Sequence, residues 1–174
     1  MRRRANKPIE RLPDQLQDNL RLVFVGTAAS RRSAAVGCYY AHPGNRFWRT
    51  IHEVGLTSRL YEPCEFPSLL DLGYGFTDLC KSGAGMDHQI ADHSIDIAGF
   101  KSKIQRFRPR SIAFTSKKAA SFFYGKPTKA IAPGRQPSDE NFPEVFVLSS
   151  PSGAASGSWT IAPWRELADW IRAN

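Results

Sequence analysis

Residues 22–48 read LVFVGTAASRRSAAVGCYYAHPGNRFW. The apolar run 22–25 ends at Gly26 and is followed by small residues, the pattern of a buried strand that delivers a tight loop to the edge of a sheet. After the loop come two tyrosines and then Asn45, which can cap a helix that begins at Arg46. This stretch therefore combines a strand end, an arginine pair, an aromatic pair and a helix N-terminus. That combination is typical of sites that hold a flat aromatic ring beside a phosphate.

The rest of the chain alternates between strand and helix patterns. Strands are predicted at 111–115 and 145–148, and 74–79 is either a short strand or an extended loop. Helices are predicted at 45–55, 95–107, 117–124 and 163–172, with a brief helix that ends at Gly73 and loops at 81–93 and 125–141. Such alternation predicts an α/β fold with a parallel sheet, in which ligands bind at the carboxyl ends of the strands. The small-residue loops after Val25 and Leu148 are expected to form two walls of that site.

Length and charge narrow the class of protein. The 174 residues fit a single domain, and 24 Lys and Arg against 16 Asp and Glu give a net charge of +8. A basic domain suits a polyanionic partner, either nucleic acid or an acidic membrane surface. The alternative is a solubility charge that belongs partly to a disordered tail. We expect residues 1–20 to be a basic N-terminal arm and residues 21–174 to be the domain.

The cysteines are Cys38, Cys64 and Cys80, an odd number without a CxxC pair. This pattern argues against a disulfide framework and against a zinc site, and it suits a reducing cytoplasm. His88 and His93 lie in a polar loop without a defined ligand geometry, so no metal is expected. The chain has no apolar run of transmembrane length and no signal-peptide core, so we expect a cytoplasmic protein with no membrane contact.

Five strings resemble, in order, the motifs of mismatch-specific uracil-DNA glycosylases. They are GTAAS at 26–30, YAHPGNRFW at 40–48, GFTDL at 75–79, PGRQ at 133–136 and SPSG at 150–153. On these strings the chain is identified as a member of the uracil-DNA glycosylase superfamily, closest to the mismatch-specific uracil/thymine branch, with a degenerate first motif. The resemblance implies a single α/β domain with helices around a mostly parallel sheet of four to five strands. It also implies hydrolysis of the bond between a damaged base and deoxyribose, without metal or cofactor, after the base flips out of the duplex.

The resemblance assigns several residues to the base pocket. Tyr40 falls where an aromatic ring stacks on the flipped base, although core packing is the alternative role for a tyrosine here. Ser33 falls where a small polar side chain touches the base edge. Gly26, Thr27 and Ala28 are expected to contribute backbone beside that edge.

Other residues are expected to contact DNA outside the pocket. Arg31 and Arg32 lie beside the first loop and could reach the DNA backbone, and Arg135 is expected at a phosphate or in the minor groove. The loop 149–158 is expected to bind phosphates and to place its tip in the space left by the flipped base. Its assigned contacts are Ser152, Gly153 and Ala154.

Two positions depart from the family pattern. Ala28 stands where most relatives carry Asn or Asp to hold the attacking water, and Ser150 stands where Asn or His is common. Asp78 is the best replacement, because GFTDL lines the same pocket in relatives and a carboxylate there could orient water. The catalytic candidates are therefore Asp78, Ser150 and His42. Asp78 could instead cap a turn or pair with a surface lysine, and His42 could instead bond to backbone.

These observations predict a monomeric base-excision-repair enzyme. It would remove uracil, and other deaminated or adducted bases, from DNA and leave an abasic site. The alternative is a non-enzymatic protein that binds damaged or abasic DNA and has lost hydrolysis. A Rossmann-type nucleotide binder is excluded because GTAAS does not match GxGxxG.

Overall fold

The computed structural model describes residues 12–85, 90–137 and 139–174. A single sheet of five strands runs through these residues, in the spatial order β2-β1-β3-β5-β4. The strands are β1 (Leu22–Ala29), β2 (Tyr74–Ala84), β3 (Ser111–Phe114), β4 (Gly134–Arg135) and β5 (Glu144–Val147). Neighbouring strands are parallel except for β4, which pairs antiparallel with β5. The predicted α/β class and the mostly parallel sheet are confirmed.

Helices connect the strands and cover the sheet. They are α1 (Arg31–Val36), α2 (Phe47–Glu53), α3 (Ile97–Phe107), α4 (Lys117–Tyr124) and α5 (Ala162–Ala173). A 3-10 helix at Pro63–Leu72 ends at Gly73, whose φ of +83° is the left-handed conformation that glycine adopts readily. Shorter 3-10 turns lie at Asp92–Ser94, Thr128–Ala130 and Gly153–Ser158. The four long helices predicted from the sequence are present, with ends that agree to within two residues.

The core lies on both faces of the sheet, because alternate residues of a strand point in opposite directions. Phe24 of β1 packs with Phe47, Phe76 and Trp164 on one face. The other face packs the remaining core side chains against α3 and α4, and these include Val23, Val25, Ile104, Ile112, Phe114 and Ala119. Clusters of aromatic rings fill the first face, and this is the face on which the candidate site opens.

The N-terminal boundary differs from the prediction. Leu12 and Leu20 are each only 1% exposed, and Gln15 forms an antiparallel bridge with Phe76 of β2. Residues 12–20 were expected to belong to the basic arm, but they pack against the domain as an additional edge segment. The expected arm therefore does not extend to residue 20, because residues 12–20 pack against the domain. Residues 1–11 lie outside the described residues.

Several short elements were not predicted. Helix α1 and strand β4 are new, and β1 and β2 continue past their predicted ends. β2 runs to Ala84, so the first part of the predicted loop 81–93 is strand. Residues 86–89, in the same predicted loop, lie outside the described residues.

The cysteine prediction was wrong. Cys38 and Cys64 form a disulfide that joins the loop after α1 to the 3-10 helix Pro63–Leu72. Cys80 is a buried free thiol. An odd number of cysteines excludes only full pairing, because one bond can form and leave the third thiol free. The cysteine count therefore gives no support to a reducing compartment.

Candidate active site

A cavity of about 270 Å³ opens at the carboxyl ends of the central strands. The end of β1, the start of α1 and the loop after β5 form its walls, and the tyrosine pair and Asp78 lie between them. Nine residues assigned from the sequence line this cavity. They are Gly26, Thr27, Ala28, Ser33, Tyr40, Asp78, Ser150, Ser152 and Ala154. The two stretches of small residues predicted as loops therefore both form walls of one cavity, although the first belongs to β1 as far as Ala29.

Gly26 lets two functional groups approach the end of β1. It is paired in register with Asp78 of the neighbouring strand β2. A Cβ atom on Gly26 would overlap Asp78 Oδ1 and would lie 3.5 Å from Tyr40 Oη. The carboxylate and the phenol therefore converge above the same backbone position, and a side chain there would displace the Asp78 carboxylate.

Asp78 is a buried carboxylate, with 5% of its surface exposed. Its Oδ2 atom lies 4.0 Å from Lys81 Nζ, and both residues belong to β2. The sequence left open whether Asp78 pairs with a lysine, and the structure shows such a pair with Lys81 at a long distance. It does not remove the carboxylate from the cavity, which Asp78 also lines.

Tyr40 is held on two sides. Its ring stacks on Phe47 with centroids 4.0 Å apart and planes 12° apart, and its Oη lies 3.1 Å from Thr115 Oγ1. Its φ of +52° lies in the left-handed region, which is uncommon for an aromatic residue. Strained backbone of this kind is concentrated at functional sites, where the surrounding structure maintains it. The ring is thus a fixed platform at the wall of the cavity.

Ser33 ties the tyrosine loop to α1. It is buried, and its Oγ accepts hydrogen bonds from Ala41 N at 3.1 Å and from Ser30 Oγ at 3.0 Å. Ser30 in turn caps α1 by accepting from Ser33 N. Ser33 therefore helps to place the loop that carries Tyr40, in addition to lining the cavity.

The loop after β5 is fixed to the turn that precedes α2. Pro151 O accepts a hydrogen bond from Arg46 N at 2.8 Å, and a Cβ on Gly153 would lie 3.1 Å from Gly44 O. Ser150 Oγ accepts from Ser152 N at 3.3 Å inside the loop. These contacts place both serines at the rim of the cavity, beside the short 3-10 turn that follows.

Several residues assigned from the sequence lie outside the cavity. The exposed His42 accepts a hydrogen bond at Nδ1 from Gly44 N, 3.0 Å away, so it closes its own turn. Arg135 pairs with Glu144, the first residue of β5, with 2.9 Å between Nε and Oε2. Arg31 and Arg32 are exposed at the start of α1, next to the rim. Gly153 lies beside the lining residues Ser152 and Ala154 without lining the cavity itself.

Sequence reasoning missed other lining residues. Thr115 and Ser116 follow β3, and Leu12 comes from the N-terminal segment. Asn45 also lines the cavity, and its Oδ1 accepts from Phe47 N at 2.9 Å at the start of α2. The rule that ligands bind at the carboxyl ends of parallel strands would have identified Thr115 and Ser116, because Thr115 ends the predicted strand 111–115 and Ser116 follows it. No comparable signal marked Leu12.

Within the described ranges, no three His, Cys, Asp or Glu side chains lie together so that they could hold a metal ion. As for membranes, none of the helices in the described part of the chain is both long and apolar enough to cross one.

Comparison with known proteins gives one family and a similar fold. A solution NMR structure described as a "putative Uracil DNA glycosylase" from Methanosarcina acetivorans superposes with a TM-score of 0.61. The two chains are 22% identical, and the match covers 92% of this chain and 96% of that chain, which supports the fold. The model of the family described as "Uracil DNA glycosylase superfamily" matches residues 13–169, which include the segment that carries Asp14 and both loops of the cavity. The chain belongs to the uracil-DNA glycosylase superfamily.

Proposed function

We propose that this protein is a DNA glycosylase that removes uracil, and other deaminated or adducted bases, from DNA and leaves an abasic site. The observation that carries the proposal is the convergence of the Asp78 carboxylate and the Tyr40 phenol over Gly26, in a cavity at the strand ends. Membership of the superfamily supports a glycosylase role in base excision repair. Within the superfamily we propose the mismatch-specific branch, because the sequence strings resemble the motifs of that branch.

The flipped base would stack on Tyr40. Phe47 supports the ring from one face, so the base is expected on the opposite face, where stacking is worth about 1–3 kcal/mol. The backbone of Thr27 and Ala28, together with Ser33, would contact the edge of the base. Ser150 and Ser152 would bind the sugar–phosphate beside the lesion.

Asp78 would supply the polar function that Ala28 lacks. In this mechanism the N-glycosidic bond breaks and its electron pair goes to the base, while a water adds to the anomeric carbon of the sugar. The Asp78 carboxylate orients that water, accepts its proton and stabilises the positive charge that develops on the sugar. His42 has no part in this step because its ring closes a turn outside the cavity.

Contacts outside the cavity would hold the DNA. The net charge of +8 and the exposed Arg31 and Arg32 suit a phosphate backbone. The loop 149–158 offers only Ala154 and Ala155 at its tip, so it would fill the vacated stack weakly. We expect a monomer, and an intracellular location follows from DNA as the substrate.

Single-turnover base release tests the proposal. The substrates are duplexes that contain uracil, hypoxanthine or ethenocytosine, with an undamaged duplex as the control. We expect release from more than one lesion, because Ala28 leaves more room than an asparagine would. Release of uracil alone would contradict a broad substrate range.

The alternative function is a damage-binding protein without hydrolysis. The alanine at position 28 favours it, because an alanine side chain cannot hold water. Tight binding to abasic DNA with no release from any lesion at high protein concentration would establish this alternative and refute the enzyme.

A further inference from the structure

A cluster of charges lies beside the cavity, centred on Asp14. Lys81 Nζ of β2 is 3.0 Å from Asp14 Oδ1, and Lys103 Nζ of α3 bonds to Asp14 Oδ2. Thr77 Oγ1 donates a third hydrogen bond to Asp14 Oδ1 at 2.6 Å. Asp14 therefore joins the N-terminal segment to the edge strand and to a helix through partly buried contacts.

Lys81 connects this cluster to the candidate active site. Its Nζ lies between two carboxylates, 3.0 Å from Asp14 Oδ1 and 4.0 Å from Asp78 Oδ2. It also donates to Tyr39 Oη at 3.3 Å, and that phenol donates to Pro13 O at 3.0 Å. The ammonium group is thus fixed by contacts to the N-terminal segment and to the tyrosine loop, with 17% of the side chain exposed.

The cluster balances its charges. Among the described residues, Lys81 on β2 lies beside Asp78, and the phenol of Tyr40 converges with Asp78 over Gly26. Asp14 on the N-terminal segment and the phenol of Tyr39 contact Lys81, and Lys103 on α3 contacts Asp14. Two carboxylates and two ammonium groups give no net charge. Burial raises the pKa of the Asp14 carboxyl, but Lys81, Lys103 and Thr77 outweigh it and hold that pKa below its ordinary value. Asp14 therefore stays ionised and can anchor Lys81.

Asp78 needs such a partner if it is to act as a base. Burial disfavours the charged form of a carboxyl group, whereas an opposite charge within about 4–6 Å favours it. Lys81 lies within that range. Lys81 belongs to the cluster around Asp14, and the Asp78 carboxylate that it contacts still lines the cavity.

We propose that Lys81, anchored by Asp14, is a positioning residue that keeps the Asp78 carboxylate ionised at the wall of the cavity. Its catalytic consequence rests on the proposed glycosylase function, whereas its electrostatic consequence does not. It makes the segment that carries Asp14 a working part of the site, although the sequence pattern places that segment in a tail.

The electrostatic consequence is tested by carbon NMR titration of the Asp78 carboxyl in the free protein. In Lys81→Met, the pH midpoint of the Asp78 carboxyl titration should rise by about 1–3 pH units, because the nearby positive charge is lost. Lys103→Met is the matched control, since it also removes one lysine from Asp14 but leaves Lys81 beside Asp78. It should shift Asp78 by less than half as much. An unmoved midpoint in Lys81→Met, or equal shifts in the two variants, would overturn the proposal.

The catalytic consequence is tested by the pH dependence of single-turnover base release. The acid limb of the profile should move to higher pH in Lys81→Met, since Asp78 is then protonated over a wider range, and Lys81→Arg should restore it. If wild type releases no base, the proposed function fails and the titration still decides the role of Lys81. If wild type is active and the acid limb of Lys81→Met is unmoved, the role of Lys81 fails and the proposed function stands.

Discussion

At the scale of single residues, the site depends on a missing side chain as much as on polar groups. A Cβ on Gly26 would overlap Asp78 Oδ1, so Gly26→Ala should displace the carboxylate. A displacement of about 1 Å can lower a rate by about 10²-fold, and we expect a loss of that order in single-turnover base release.

Gly125→Ala is the control for that substitution. Gly125 ends α4 with a φ of +61°, and a Cβ added there would meet no atom within 4 Å, so its replacement should cost about 1 kcal/mol of stability through backbone strain alone. It should not slow base release. Equal losses of activity in the two variants would show that Gly26 acts only through stability.

The ring of Tyr40 gives a second prediction at this scale. Tyr40→Ala should weaken binding to a duplex with a flipped, non-hydrolysable uracil analogue by about 1–3 kcal/mol, because stacking is lost. Tyr40→Phe keeps the ring on Phe47 and removes the hydroxyl that contacts Thr115, a hydrogen bond worth about 1 kcal/mol, so the stacking contribution should remain. Equilibrium binding measures both, and equal losses in the two variants would contradict a stacking role.

The placement of residues in the cavity was predicted well where a motif fixed the position, and poorly where a local turn decided it. Asp78 and Tyr40 line the cavity as expected. His42 does not, because the Pro-Gly that follows lets its ring bond to Gly44 N. Arg135 pairs with Glu144, which antiparallel pairing of β4 with β5 brings alongside, and its expected contact with DNA stays a prediction.

At the scale of elements, continuous apolar runs and helical periodicity in the sequence predicted the main strands and helices. The strands at 22 and 145 were found because they are continuous apolar segments, and α4 was found because its cap and its terminal glycine frame it. Helix α1 has only six residues and follows a loop of small side chains, so it lacked a detectable period. Residues 12–20 are mostly polar around three leucines, and their partners on β2, on α3 and in the tyrosine loop are distant in sequence, so no local pattern marked the segment.

The disulfide gives a prediction for two elements at once. The Cys38–Cys64 bond joins positions 26 residues apart, between the segment before Tyr40 and the 3-10 helix Pro63–Leu72. The double variant Cys38→Ser, Cys64→Ser should lose about 2–4 kcal/mol of unfolding free energy in urea. Reductant should destabilise wild type by the same amount and leave the double variant unchanged. An effect of reductant on the double variant, or no difference between the two proteins, would contradict the cross-link.

At the scale of the whole molecule, the parallel sheet explains why distant strings form one cavity. Residues from 26 to 155 meet there because β1, β3 and β5 end at the same edge. The sequence predicted this edge from two loops of small residues. It could not predict the wall supplied by Leu12, because that wall depends on how the N-terminal segment crosses the edge strand.

The basic charge makes DNA affinity depend on salt. Each phosphate contact that is lost should reduce the slope of log K against log salt by about 1, so Arg31→Ala and Arg32→Ala should each lower it. Arg135→Ala is the comparison, because that guanidinium already pairs with Glu144 and its loss should lower the slope less. Titrations by fluorescence anisotropy measure the slopes. A fall in slope for Arg135→Ala, with none for the other two, would contradict the assignment of phosphate contacts to Arg31 and Arg32.

The most direct test compares single-turnover uracil release by wild type, Asp78→Asn and Asp71→Asn. Asp71 is exposed on the 3-10 helix Pro63–Leu72 and serves as the charge-matched control. We predict release by wild type and by Asp71→Asn, and release slower by at least about tenfold in Asp78→Asn with binding to abasic DNA retained, since a positioned base contributes about 10²–10⁴-fold. Unchanged release by Asp78→Asn would contradict the assignment of catalysis to that carboxylate, and no release by wild type would contradict the glycosylase itself.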